Sequence, residues 1–123
     1  MAGAIVTDTV TCTTANITTM IALPVATVAA AGANQGNAAA IATGFTLVSA
    51  ADATKGVILP AAAAGLICFV KNNAAAVLKV YPNTSDAINA IAADGAFSMA
   101  SLTSCIFIAY DAVTWYTIPL VAS

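Results

Sequence analysis

The stretch Gly56–Pro82, G-V-I-L-P-A-A-A-A-G-L-I-C-F-V-K-N-N-A-A-A-V-L-K-V-Y-P, decides how the rest of the chain reads. Val57-Ile58-Leu59 is a short strand stopped by Pro60, which has no N–H to donate to a ladder. Ala61 to Gly65 is a connection. Leu66 to Val70 is a continuous apolar run of strand length, the pattern of a strand buried on both faces. Lys71-Asn72-Asn73 turns the chain, because Asn tolerates left-handed backbone angles. Val77 to Tyr81 returns, with Leu78 and Val80 inward and Lys79 outward. Pro82 to Asp86 is the next turn.

Outward from that stretch the strand pattern continues. Upstream, Ile41 to Ser49 alternates, and Ala50 to Gly56 is a polar turn. Downstream, Asp86 to Ala93 is a short helix or a loop with Ile88 and Ile91 as plugs. Phe97 and Met99 alternate with Ser98 and Ala100. Cys105 to Tyr110 is a second strongly apolar run, Asp111-Ala112 a tight turn, and Thr114 to Ile118 an alternating strand that closes the sheet. Short strands at this spacing, with no long amphipathic helix, predict an all-β domain over 41–123, an antiparallel β-sandwich or small barrel. Leu66, Phe69, Val70, Leu78, Val80, Ile106, Phe107 and Ile108 are its expected core.

Residues 1–40 have a different texture. Ala4 to Thr14 is rich in Val, Ile and Thr, which suits a strand. No charged residue occurs from Thr9 to Ala51, and Val25 to Ala42 is mainly Ala with Gly, Asn and Thr. This composition predicts an extended or irregular N-terminal arm. Ile5, Val6, Val10 and Ile17 are its candidate contacts, through which it adds a strand to a partner or lies along one.

Composition restricts the function. Hydrophobic residues make up 61% of the 123 residues and charged residues 7%, against ~25% charged in an ordinary soluble domain. There are three Lys, five Asp, and no Arg, Glu or His. Charges cover a monomer's surface and keep copies apart, so a chain this poor in them is expected to associate with itself. Three lysines without arginine do not form the basic patch that phosphate neutralisation requires, so nucleic acid is not an expected partner. A membrane is not expected either. Met20 to Ala33 is shorter than the ~20 apolar residues of a spanning helix and is interrupted by Pro24 and Thr27. The first residues lack the basic region of a signal peptide, and Asp8 sits where one would be.

Reactive chemistry is poorly supplied. Without His or Glu the usual general bases are missing. The aspartates sit mostly in turn sequences, where Asp caps its own backbone; a cation held by Asn83 with Asp86 is the minor alternative. Cys12, Cys68 and Cys105 include no C-x-x-C pair. Cys68 and Cys105 lie in apolar runs and read as buried small hydrophobes, with a Cys68–Cys105 disulfide as the alternative. No catalytic, metal or cofactor site is expected. Tyr81, Tyr110, Trp115 and Tyr116 fall near strand ends, where amphipathic rings suit either core packing or an assembly or sugar-binding surface.

The segments G-V-I-L-P-A-A-A-A-G, V-K-N-N-A-A-A-V-L-K-V-Y-P, D-A-I-N-A-I and A-Y-D-A-V-T-W-Y-T-I, in this order from Gly56 to Ile118, resemble a module of small virion structural proteins of tailed bacteriophages, of the head-decoration (cement) or head-fibre type. The resemblance covers roughly Ala31 to Ile118. It implies a non-enzymatic, assembly-forming β protein, made in the bacterial cytoplasm and carried on the capsid exterior. The implied partners are further copies of itself, as a homotrimer, and the major capsid protein. A short head or tail fibre subunit is the alternative within that class, and a carbohydrate-binding β module the alternative outside it.

Overall fold

A computed structural model describes residues 9–119. Ile5, Val6 and the first part of the expected Ala4–Thr14 strand lie outside the described residues. Among those described, ten strands form two sheets. In chain order they are β1 (Val25–Ala29), β2 (Ala39–Ala40), β3 (Gly44–Ala50), β4 (Gly56–Ile58), β5 (Ile67–Asn72), β6 (Leu78–Tyr81), β7 (Ala87–Ile88), β8 (Phe97–Met99), β9 (Ser104–Ala109) and β10 (Thr114–Ile118). The larger sheet runs β1-β3-β5-β9-β10-β7 and the smaller β2-β4-β6-β8.

The all-β class stands, but the pairing is mixed rather than antiparallel throughout. The first six strands alternate between the sheets, so each sheet receives its next strand only after the chain has passed through the other. Strands β1, β3 and β5 are therefore parallel, as are β2, β4 and β6. Each wind takes roughly 20 residues, as in Val25 against Phe45 or Ala39 against Val57, a solenoid-like period. The turn expected at Ala50–Gly56 exists, and the one expected at Lys71–Asn73 falls later, over Ala74–Ala76, because Lys71 and Asn72 are still paired in β5. They carry the chain from one sheet to the other instead of closing hairpins, and that overturns the antiparallel expectation. Among the described strands, antiparallel pairing enters where the winding ends, at β5–β9, β6–β8 and β9–β10, apart from a single Ala31–Gly56 bridge within it.

The expected boundary after residue 40 also moves. β1 and β2 are part of the winding, and Ala30 and Ile41 are buried in the core. Small side chains suit this first wind because it packs tightly on the second. At Gly44 φ is +99°, and a Cβ would run into the Pro24 carbonyl, whose oxygen accepts from Phe45 N at 2.9 Å. Arm character is confined to the described residues before Pro24. Thr9 to Leu23 are exposed throughout and form no strand.

The core lies between the sheets. Val70, Leu78, Val80 and Phe107 are completely buried, as expected, and Leu66 packs against them. Phe107 meets Phe97 edge to face, with centroids 5.6 Å apart and planes at 90°. Phe69, Ile106 and Ile108 differ from expectation and are only half-buried. Successive side chains of a strand face opposite ways, and only one face of the larger sheet meets the smaller one. Asn72, at the end of β5, is buried yet satisfied. Its amide donates to the carbonyls of Ala76 at 2.9 Å and Ala100 at 3.0 Å, and its oxygen accepts from Ala74 N at 3.1 Å.

Phe107→Ala is expected to cost about 3–5 kcal/mol in urea unfolding, and Phe69→Ala clearly less in the isolated chain. A Phe107 loss within the ~0.5 kcal/mol of a typical surface substitution contradicts the packing described.

Candidate functional site

The half-buried residues of β5 and β9 belong to a continuous surface. The pairing register aligns Val25 with Phe45, Phe45 with Phe69, Phe69 with Ile106, and Ile106 with Ile118. One row of five apolar side chains thus crosses five strands on the outer face of the larger sheet. Beside it runs a second row, Ile67, Ile108 and Tyr116. Exposure is 36% at Phe45, 41% at Ile67, 50% at Tyr116, 51% at Ile118 and 77% at Val25. A shallow groove of about 290 Å³ opens along the first row, lined by Phe45, Phe69, Ile106, Ile118 and Pro119. On the other flank of the first row come Leu47, Lys71 and Ser104, and the Lys71 amine donates to the Leu102 carbonyl.

The aromatic residues singled out from sequence divide three ways. Tyr110 and Tyr116 come together at the end of this face, with centroids 6.1 Å apart in an edge-to-face contact. Tyr81 is on the other sheet, half-buried, its hydroxyl 3.5 Å from the Ala33 carbonyl. Trp115 is no surface residue. It faces inward beside Ile88, is completely buried, and fills the core. Its indole N–H has no hydrogen-bond partner among the described residues. Of the aliphatic candidates, Val10 and Ile17 are exposed in the N-terminal segment. Sequence reading missed Val25, Phe45, Ile67 and Ile118 as surface residues. The available signal was the run of apolar residues at both parities in Ile67–Val70 and Cys105–Ala109, which leaves an apolar outer face wherever the second face is uncovered.

The described carboxylates hold turns and loops. Asp52 Oδ1 accepts from the Thr54 hydroxyl at 2.7 Å and from the Thr54 and Lys55 N–H groups at 3.0 Å, and Asp52 pairs with Lys55 at 3.3 Å. The Thr54 hydroxyl and these N–H groups hold its carboxyl below the ordinary range. Asp94 is lowered by the Gln35 amide and then by Ser85 N–H, at 2.9 and 2.7 Å. Asp111 is lowered chiefly by Val113 N–H at 2.9 Å. Asp86 is buried, and its carboxylate accepts from Ala62 N at 2.9 Å. The Asn83 amide spans from Leu59 O to Thr84 N. Asn83 and Asp86 therefore each hold a loop rather than converge on one point.

The Cys68 and Cys105 thiols are both free. They are not cross-strand partners: Cys68 pairs with Phe107, and Cys105 with Val70. Burial pushes each up to about 11, which suppresses the thiolate a nucleophile requires. Among the described residues no group of three or more His, Cys, Asp or Glu side chains is placed to hold a metal, and no helix is long and apolar enough to cross a membrane. What this surface offers chemically is apolar contact along a shallowly grooved sheet face with an aromatic pair at its end. No family model matches the chain, and no curated protein or solved structure matches it.

Lowered carboxyl pKa values stabilise the fold above the ordinary value of 3.8, and that contribution is lost as pH falls through it towards the folded-state values. The thermal midpoint is expected to be flat between about pH 5 and 7 and to drop below about pH 4. Asp94→Asn should reduce the drop. A midpoint that stays level through pH 3, followed by circular dichroism, would contradict these hydrogen bonds.

Proposed function

We propose that the chain is a non-enzymatic structural protein of a tailed-phage virion: a capsid decoration (cement) protein that binds and stabilises the head shell as a homotrimer. Its partners in this reading are its own copies and the major capsid protein, and its place is the capsid exterior. The observation that carries the proposal is the apolar outer face of the larger sheet in a chain with 7% charged residues. A surface of this kind is stable in water when another surface covers it. The order of segments from Gly56 to Ile118 supplies the phage assignment through the resemblance described above. A short head or tail fibre subunit uses the same self-association with different placement. The exposed Tyr110–Tyr116 pair favours one reading outside assembly, a carbohydrate platform, because sugars stack on such rings.

Sedimentation of the full chain at micromolar concentration should give a trimer with no stable monomer, and a well-behaved monomer would contradict both the cement and the fibre reading. Copy number in purified virions separates those two, at hundreds of copies for decoration and up to a few dozen for a fibre. Saturable binding on a glycan array that is lost in Tyr110→Ala would favour the carbohydrate platform.

A further inference from the structure

The outer face and the N-terminal segment have matching chemistry. Thr9 to Leu23 carry no charge and expose Val10, Ile17, Met20, Ile21 and Leu23, each about half exposed or more. In an extended chain Ile17, Ile21 and Leu23 fall on one side, because side chains alternate. The face they would meet is apolar along two rows, with Lys71 at its flank.

We infer that residues 9–23 of one copy lie across the Val25–Phe45–Phe69–Ile106–Ile118 row of a second copy of this chain, so that subunits exchange arms. The inference rests on the self-association part of the function proposed above and is independent of the capsid. Area argues for exchange over simple face-to-face contact. Five strands spaced ~4.8 Å apart, over two rows of side chains, present on the order of 300 Å², against the ~800 Å² per partner of a stable interface. When arms are exchanged, each subunit buries its own arm as well as its own face, so its contribution is counted twice. Length permits it: 15 residues at ~3.3 Å each reach ~50 Å, about twice the width of the row. Neither the arm nor the row itself carries a charge, and Lys71 sits at the flank, so laying the arm along the row buries no ion.

Arm and face can be linked directly, because the arm already holds exposed Cys12 while Cys68 and Cys105 are buried. In full-length Ile106→Cys, mild oxidation should give disulfide-linked dimers and higher multiples beyond those of the wild type. These should be lost in the Cys12→Ser, Ile106→Cys double variant. A disulfide within a single chain, or none, overturns the inference. Independently, Phe69→Asp puts a charge in the middle of the row. It should shift the sedimenting species to monomer while the β signature in circular dichroism is retained. An unchanged oligomer overturns the inference and leaves self-association standing. A monomeric wild type overturns both. Should Phe69→Asp not fold, the crosslink alone decides.

Discussion

The fold depends on β5. It pairs parallel with β3 on one side and antiparallel with β9 on the other, so in the larger sheet the winding and its closing part meet along this strand, as they do along β6 in the smaller. Its inward side chains, Cys68, Val70 and Asn72, are all buried. Asn72 ties the turn toward β6 to the carbonyls at the end of β8. An apolar residue there would take this donor from the buried Met99 carbonyl and the partly buried Ala76 and Ala100 carbonyls, at up to about 1–3 kcal/mol for a group fully removed from water. One polar side chain thus holds both sheets in register at the point where the chain changes direction.

The sequence was most readable where local pattern alone decides structure. Strand content, the turn at Ala50–Gly56, and the buried positions Val70, Leu78, Val80 and Phe107 followed from periodicity and turn chemistry, whereas the turn expected at Lys71–Asn73 comes three residues later because Asn72 is held in β5. Strand direction did not, since a turn between two strands reads the same whether the second strand pairs with the first or crosses to a facing sheet. Parallel partners such as Phe45 and Phe69 are one full wind apart, beyond the range of any local signal. The Ala-rich segment from Val25 to Ala40 reads as an arm because it lacks bulk. Yet small side chains are what a wind pressed against its neighbour requires, as Gly44 against Pro24 shows. Trp115 was ambiguous by type: a large amphipathic ring suits a core or a surface, and only the pairing of β10 with β7 turns it inward.

The same alternation accounts for the surface. Ile67 to Val70 and Cys105 to Ala109 are apolar at every position, a pattern suited to a sheet covered on both sides. The smaller sheet covers one side only. The described carboxylates lie elsewhere: Asp52, Asp94 and Asp111 are engaged in turns and Asp86 anchors the connection before β5, while Lys71, at the flank of this face, is bonded to a backbone carbonyl. The apolar surface is therefore a consequence of where the charges are needed, as well as of how few there are.

The winding has two unlike ends. At the far end the sheets finish in β7 and β8, of two and three residues, after the chain has reversed, and such short edges give little for another strand to pair with. At the near end the larger sheet finishes in β1, five residues long and parallel to its neighbour. A wind of similar length inserted ahead of β1 would add one strand to each sheet with the same parallel pairing, and leave β5 and everything after it undisturbed. Insertion beyond β10 has no equivalent rung to copy. The plan therefore has room to lengthen at its amino-terminal end in steps of one wind, while its carboxy-terminal part is closed to such growth.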